Sequence, residues 1–282
     1  MVKPDRVCCF LVLSIAILLN TVVQAAPASK LIPFWNHFNE ENVQEIDHSI
    51  WQGFLNHYLD SSDSNSANCV VYSAVSEVDK IALQQYIASL SAIDPRTYSR
   101  AEQKAYWINL YNVLTVQLIL DSYPVASITK LGDSFFRFGP WDDKLVTIQG
   151  QTLSLNDIEH GILRPIYKDP RIHYAVNCAS LGCPDLSAQA YTKSNIEDML
   201  NVAAVSYVNH PRGVRFETVE SKKARLMASS IYHWYIEDFG GTDKALVLHL
   251  MQYAKPTLKT QLELYQGDIG YEYDWSLNDK TN

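Results

Sequence analysis

The feature that most constrains the fold is a long segment, residues 100–121, that is apolar on nearly every side of a helix. Ser99, followed by Glu102 three residues later, forms a capping-box pattern that predicts where this helix begins. Tyr123-Pro124 predicts its end, because the residue before a proline disfavours helical geometry. A helix without a polar face is buried, so the rest of the chain must enclose it. Its predicted core positions are Trp107, Leu110, Leu114 and Leu118.

Helical and extended patterns are mixed irregularly around this central helix. The further predicted helices span about 46–60, 83–90, 155–164, 194–208, 229–239 and 243–265, and the predicted strands lie within 69–72, 135–155, 171–177 and 214–219. Because there is no regular β-α-β alternation, we predict a single α+β domain that is mostly helical with a small mixed or antiparallel sheet. Residues 26–65 are a helical lead-in and residues 66–282 the core domain, against which the aromatic tail 270–278 packs.

The first 25 residues have the pattern of a secretory signal rather than of a folded element. Lys3 and Arg6 precede an apolar run at 7–19 that is too short to span a bilayer, and Val23-Gln24-Ala25 offers a cleavage site before Ala26. We therefore expect a cleaved signal peptide, a periplasmic or secreted protein, and no membrane span in the mature chain.

Charge and motif content narrow the function classes. The net charge is −8 and no basic block is present, which argues against a nucleic-acid partner. No P-loop, dinucleotide-binding glycine motif or zinc-protease helix occurs, so no cofactor is predicted. Asp238-Phe239-Gly240 spells a kinase tripeptide without the rest of a kinase, and Gly240 is better explained as a helix C-cap. The expected partner is a small-molecule or peptide substrate.

One stretch, residues 171–184, concentrates reactive side chains around a predicted strand end and the loop after it. It carries His173, Asn177, Cys178, Ser180 and Cys183. Loops at strand ends commonly hold reactive groups because their side chains project into clefts. With Cys69, these two cysteines are the three that remain after signal cleavage, so at least one thiol is unpaired in an oxidising compartment.

Two other segments add polar groups to apolar helices. Asn109 and Asn112, three residues apart on the central helix, share one face, and buried amides of this kind need hydrogen-bond partners. Glu159 and His160 share a short predicted helix with Arg164, which is expected to cap carbonyls or pair with a carboxylate. We predict that the four side chains Asn109, Asn112, Ser180 and Arg164 bind substrate.

Five ordered motifs give the chain a resemblance to a known family. They are AYWINLYN at 105–112, LNDIEHGILR at 155–164, HYAVNCASLGCP at 173–184, WYIEDFG at 234–240 and YDWSLN at 273–278. Together they resemble the bacterial and plant family called domain of unknown function 547, over residues 102–278. The resemblance implies that the polar residues named above occupy the family's motif positions. His233 replaces a residue that is usually basic in the family, which makes it a poor candidate for an essential base.

Three interpretations of the cysteine loop stay open at this level. In the first, Cys178 is a nucleophile whose pKa is depressed by His160 or His173, with Glu159 or Asn177 orienting the base, as in papain- or transglutaminase-like enzymes. In the second, Cys178 and Cys183 join the histidines in a zinc site. In the third, the two cysteines form a disulfide that braces a loop, and the protein is a non-catalytic envelope binding or scaffolding module.

We favour the thiol interpretation. It predicts a cysteine-dependent hydrolase or acyl transferase acting on amide or thioester bonds. Its predicted catalytic residues are Cys178, His160, His173, Glu159 and Asn177.

Overall fold

The structure, a computed structural model, describes residues 27–63, 66–132, 139–218 and 224–280. The predicted signal peptide, the beginning of the β-rich segment at Phe135 and the strand position Val219 lie outside these ranges. Among the described residues, no helix is long and apolar enough to cross a membrane.

The helices of the described ranges confirm the mostly helical prediction. They are α1 (Ser49–Tyr58), α2 (Glu77–Ala92), α3 (Arg100–Ser122), α4 (Leu155–Ile158), α5 (Arg164–Tyr167), α6 (Ile196–Val208), α7 (Ser230–Trp234), α8 (Asp243–Tyr253) and α9 (Pro256–Leu264). A π-helix at Glu159–Leu163 joins α4 to α5, and short 3₁₀ turns include Pro33–Trp35 and Pro170–Tyr174.

The strands form three small sheets, so the α+β prediction is also confirmed. β1 (Leu59–Asp60) pairs with β2 (Cys69–Val70), and β3 (Val146–Ile148) pairs with β4 (Gln151–Leu153), both antiparallel. The third sheet is mixed: β6 (Arg225–Ser229) lies between the antiparallel β5 (Val214–Glu217) and the parallel β7 (Gly270–Glu272).

Helix α3 is the centre of the main core, as its apolar sequence predicts. Ser99 Oγ accepts a hydrogen bond from the Glu102 backbone N–H and so fixes the first turn. The Glu102 side chain does not complete the capping box but accepts the Ile46 N–H at 2.7 Å, which attaches the N-terminal segment to the helix. Trp107, Leu110 and Leu114 are buried and Leu118 is partly buried.

A second core cluster, rich in tyrosine, packs beside the first. It includes Tyr174, Tyr207, Tyr232, Phe239, Leu246 and Leu250. Ile172 and Ala175 belong to the main core whereas Tyr174 belongs to the second, so the segment 170–176 runs along the seam between them. Residues at this seam are held from both sides.

The strand predicted at 171–177 is wrong, because this stretch begins as a 3₁₀ turn. The Asp169 side chain accepts the Arg171 backbone N–H, and Pro170 fixes the first turn in helical geometry. The alternation of apolar residues that suggested a strand arises because Ile172 and Tyr174 enter different cores. Ser194 followed by Glu197 has the pattern of a capping box for the helix predicted at 194–208, but no such box forms. Helix α6 begins after Asn195, and Glu197 pairs with Arg171 and Lys104.

Candidate functional site

Helix α3 holds the reactive loop in place through one asparagine. Asn112 donates from Nδ2 to the Ala175 carbonyl at 2.9 Å and accepts the Asn177 N–H on Oδ1 at 2.8 Å. Asn177 in turn donates to the Pro184 carbonyl at 2.8 Å and accepts the Ala179 N–H at 2.8 Å. The backbone on both sides of Cys178 is therefore fixed by buried amides, as expected for polar groups in a core.

Asn109 makes the same pair of bonds to a different segment. Its Nδ2 donates to the Tyr191 carbonyl at 2.7 Å, and its Oδ1 accepts the Tyr191 N–H at 3.0 Å. Both asparagines are buried and their amides are already bonded to backbone groups. Their predicted role in substrate binding stays a prediction.

Two thiols and two hydroxyls meet at the loop in what we call the thiol cluster, formed by Cys178, Ser180, Cys183 and Tyr273. The Cys178 sulfur lies 3.0 Å from Tyr273 Oη and 3.2 Å from Ser180 Oγ, and the two hydroxyls are 2.9 Å apart. The Cys178 backbone N–H donates to the Cys183 sulfur at 2.9 Å. Tyr273 reaches the loop from the C-terminal tail, where it packs against Trp234 and Trp275.

The two cysteines of this cluster shift their pKa values in opposite directions. Burial and the neighbouring Cys183 raise the pKa of the Cys178 thiol. Burial also opposes ionisation of Cys183, but hydrogen bonds, first from Cys178 and then from Tyr273, outweigh burial and lower the pKa of Cys183. The expectation of a depressed pKa at Cys178 is therefore wrong, and the cysteine of this cluster whose pKa is lowered is Cys183.

Within the described ranges, the cysteine loop contains neither the disulfide nor the zinc-binding group of the two alternative interpretations. Cys69, Cys178 and Cys183, the cysteines within the described ranges, are all free thiols. Within the same ranges no group of three or more His, Cys, Asp and Glu side chains is arranged to hold a metal ion.

A second cluster, which we call the ion network, consists of Glu159, His160, Arg164, His173 and Asp238. His173 Nε2 lies 2.6 Å from Asp238 Oδ2, and Arg164 forms a forked pair with the same carboxylate at 2.5 and 3.2 Å. Burial opposes ionisation of Asp238, but the bonds from His173 and Arg164 dominate and hold its pKa well below the usual range. Asp238 is thus an anion that orients His173, and the expectation that Arg164 pairs with a carboxylate is confirmed.

The remaining members of the ion network are buried and closely spaced. The Arg164 Nη1–H donates to His160 Nδ1 at 3.1 Å, which makes this nitrogen an acceptor, and burial lowers the pKa of the His160 ring. Glu159 Oε1 is 3.6 Å from His173 Nδ1 and 3.9 Å from His160 Nδ1. His173 Nδ1 is buried and has no hydrogen-bond partner among the described residues.

Tyr235 interacts with members of both clusters. Its ring stacks on His173, with centroids 4.0 Å apart and planes within 17°, and the Arg164 guanidinium lies 4.9 Å from the ring centre. Burial, followed by the charge of Glu159, raises the pKa of Tyr235 far above its ordinary value, and the charge of Cys178 adds to this shift. Over the part of the chain that the structure describes, no hydrogen bond joins His160 or His173 to the thiol cluster. The predicted cysteine–histidine pair stays a prediction.

Sequence reasoning did not identify three of these groups: Tyr235, Asp238 and Tyr273. All three lie in the quoted motifs at 234–240 and 273–278, which was the available signal. In the sequence, a C-cap role for Gly240 accounts for the Asp238-Phe239-Gly240 tripeptide and assigns no role to Asp238. That explanation is correct, since Gly240 ends its 3₁₀ turn in the left-handed region at φ 102°. The same turn also presents Asp238 to Arg164 and His173. Gly240 therefore ends the turn, and Asp238 supplies a negative charge of the ion network.

The fold and the two clusters define the class as an α+β protein with a thiol cluster and a buried ion network at the seam between two cores. Residues 95–208 match a protein family described as "Protein of unknown function, DUF547". This match supports the family resemblance over the stretch that contains Asn109, Asn112, Glu159, His173 and both cysteines of the loop. No curated protein and no solved structure matches the chain.

Proposed function

We propose that the protein is a thiol-dependent hydrolase or acyl transferase acting on amide or thioester bonds, with Cys178 as the nucleophile. The observation that carries the proposal is the thiol cluster, in which the Cys178 sulfur and two hydroxyls are linked by hydrogen bonds and the Cys178 backbone N–H donates to the Cys183 sulfur. Cys178 is partly exposed, whereas Cys183 is only 3% exposed. A substrate carbonyl therefore has better access to Cys178.

Proton transfer within the thiol pair would activate this nucleophile. Two interacting thiols release their protons in two steps that belong to the pair, and we place the first negative charge on Cys183 because its pKa is the lowered one. When the Cys178 sulfur attacks a carbonyl carbon, its proton passes to the Cys183 thiolate. Collapse of the tetrahedral intermediate breaks the bond to the leaving group, which takes this proton, and the acyl group stays on Cys178. Water or an acceptor nucleophile then removes the acyl group.

Hydroxyl groups are our candidates for stabilising the charge that develops on the carbonyl oxygen. The backbone N–H groups of Leu181, Gly182 and Cys183 already donate to Ser276, Asp274 and Ser180. Ser180 Oγ and Tyr273 Oη both lie beside the Cys178 sulfur, at 3.2 and 3.0 Å. Donors aimed at the developing charge are commonly the largest contribution to acyl-transfer catalysis.

In this proposal the ion network and Asn177 are positioning groups. Asn177 fixes the backbone on both sides of Cys178 through its bonds to Pro184 and Ala179. His173 stacks on the Tyr235 ring, and the charge of Glu159 acts on the Tyr235 hydroxyl. His160 completes the network through Arg164.

Capture of an acyl-enzyme tests the proposed activity. The full-length protein is incubated with small panels of aryl thioesters and activated amides, and adducts are located by intact mass and peptide mapping. We expect a single adduct on Cys178, lost in Cys178→Ala and retained in Cys69→Ala, a matched control on the other described cysteine outside the cluster. Absence of any adduct, with native melting behaviour, would favour the non-catalytic binding or scaffolding module instead.

We also propose that the protein is exported, periplasmic or secreted, after cleavage before Ala26. The support is the sequence pattern of residues 1–25. Intact mass of the protein recovered from the cell envelope or medium should give a chain that begins at Ala26. A full-length, membrane-integral species would refute this.

A further inference from the structure

The N-terminal segment 27–32, which we call the strap, lies along the π-helix that carries Glu159 and His160. The Lys30 N–H donates to the His160 carbonyl and the Ile32 N–H to the Gly161 carbonyl, both at 2.9 Å. The Arg164 Nη1–H donates to the Pro27 carbonyl at 2.8 Å. The strap therefore contacts this helix through backbone groups at alternate residues.

Pro165 explains why these two helix carbonyls accept bonds from outside the helix. In an α-helix the Gly161 carbonyl would accept the N–H of residue 165, and in a π-helix the His160 carbonyl would do so. Proline has no N–H, so neither carbonyl has a donor at that position. The strap supplies the two missing donors.

Gly161 allows the strap to approach the helix closely. A Cβ atom at this position would lie 2.5 Å from Ile32 Cδ1, which is closer than side-chain atoms can pack. A Cβ there would force the Ile32 side chain aside, whereas the nearest backbone atom of the strap, the Lys30 carbonyl oxygen, lies 3.8 Å from that position, an ordinary contact distance. We call the His160 carbonyl, the Gly161 carbonyl and the Arg164 guanidinium the docking edge.

We infer that the docking edge is a binding site for an extended peptide and that the strap is its intramolecular occupant. In β-augmentation an extended peptide adds to a sheet edge through backbone N–H groups at alternate residues. Here the N–H groups of Lys30 and Ile32, at i and i+2, meet the carbonyls of two consecutive helix residues. Arg164 adds a donor to a peptide carbonyl three residues before the first of these N–H groups. The ligand class is therefore a peptide in extended conformation, recognised through its backbone.

The strap is too little buried to be held firmly in place. Residues 27–30 are exposed and residues 31–32 are only partly buried. The chain becomes firmly anchored at Trp35, whose buried ring packs edge-on against Trp107 with centroids 5.0 Å apart. Exposed segments near a terminus that are held by a few hydrogen bonds open at much lower free energy than the core. The strap can therefore detach while Trp35 stays in place.

Peptide binding by a variant with a weakened strap tests this inference. Lys30→Pro removes one of the two strap donors in the full-length chain. We expect a fluorescent peptide with the sequence of residues 27–33 to bind Lys30→Pro saturably, and to bind the unsubstituted chain at least about tenfold more weakly because its own strap competes. Carrying Cys178→Ala in both chains makes the result independent of the proposed thiol chemistry.

Single N-methylation of the peptide provides the matched control. A methyl on the nitrogen corresponding to Lys30 or Ile32 should abolish binding, whereas a methyl on the nitrogen corresponding to Leu31 should leave it within about twofold. Equal losses at Leu31 and Ile32, or no saturable binding to a Lys30→Pro chain with an unchanged melting temperature, would overturn the inference.

Hydrogen exchange in the unsubstituted chain decides the case if Lys30→Pro does not fold. Saturating peptide should accelerate exchange of the Lys30 and Ile32 amides, because it displaces the strap, and leave the Leu110 amide unchanged. Unchanged exchange at Lys30 and Ile32 would overturn the inference.

Discussion

Replacing Asn112 by alanine should both destabilise the protein and release the loop that carries Cys178. The substitution removes one donor and one acceptor at once, leaving the Ala175 carbonyl and the Asn177 N–H without their partner. Asn112 is only 2% exposed, so water cannot readily replace either bond. Each buried group left unpaired costs about 1–3 kcal/mol, which gives a loss of about 2–6 kcal/mol for the pair.

The assay combines urea unfolding with alkylation of Cys178 by iodoacetamide under native conditions. Asn109→Ala is the matched control, because Asn109 is equally buried and makes the same two bonds, but to Tyr191. Both variants should lose similar stability, and only Asn112→Ala should alkylate faster at Cys178. An Asn112→Ala loss below about 1 kcal/mol, or equal acceleration in both variants, would refute the reasoning.

Three further predictions follow from packing, pH and the hydroxyl donors. Leu114→Ala, in the core around α3, should cost about 2–5 kcal/mol in urea unfolding, and a neutral result would show that α3 is not central. Burial lowers the pKa of His249 to about 4, so its contribution of roughly 3 kcal/mol is present above pH 6.5 and is lost as pH falls towards 4. His249→Gln should flatten the stability profile in that window, and an unchanged slope would contradict this. Tyr273→Phe should slow acylation of Cys178 by about 100- to 1,000-fold without changing the melting temperature by more than a few degrees, whereas an unchanged rate would remove Tyr273 from the proposed mechanism.

The elements that the sequence predicts well are those whose local signals agree with their tertiary surroundings. Helix α3 has an N-cap, an apolar surface all round and a proline just beyond its end, and all three act together. The segment 243–265, predicted as one helix, forms two. Pro256 separates them, because a proline can begin α9 but cannot continue α8.

The prediction of a strand at 171–177 is wrong because the alternation of apolar residues there does not reflect the two faces of a strand. Its apolar residues instead enter two separate cores, a tertiary fact that spacing does not encode. The predicted lowering of the Cys178 pKa is wrong for a similar reason, because it depends on residues that are distant in the sequence. Whether Cys178 has a raised or lowered pKa depends on Cys183 and Tyr273, and Tyr273 lies 95 positions away in the chain. Asp238 likewise reaches His173 across 65 positions.

The most direct test of the central claim, that Cys183 rather than an imidazole takes the proton of Cys178, is the pH dependence of Cys178 alkylation. The rate is measured in the native protein and in Cys183→Ser and His173→Gln, with Cys69→Ala as the background in all three. The account predicts that the rate reaches half its maximum at a pH below the ordinary cysteine pKa of about 8.5. Cys183→Ser should shift this midpoint upward, and His173→Gln should leave it unchanged. A profile that moves with His173→Gln and not with Cys183→Ser would contradict it and restore the imidazole as the base.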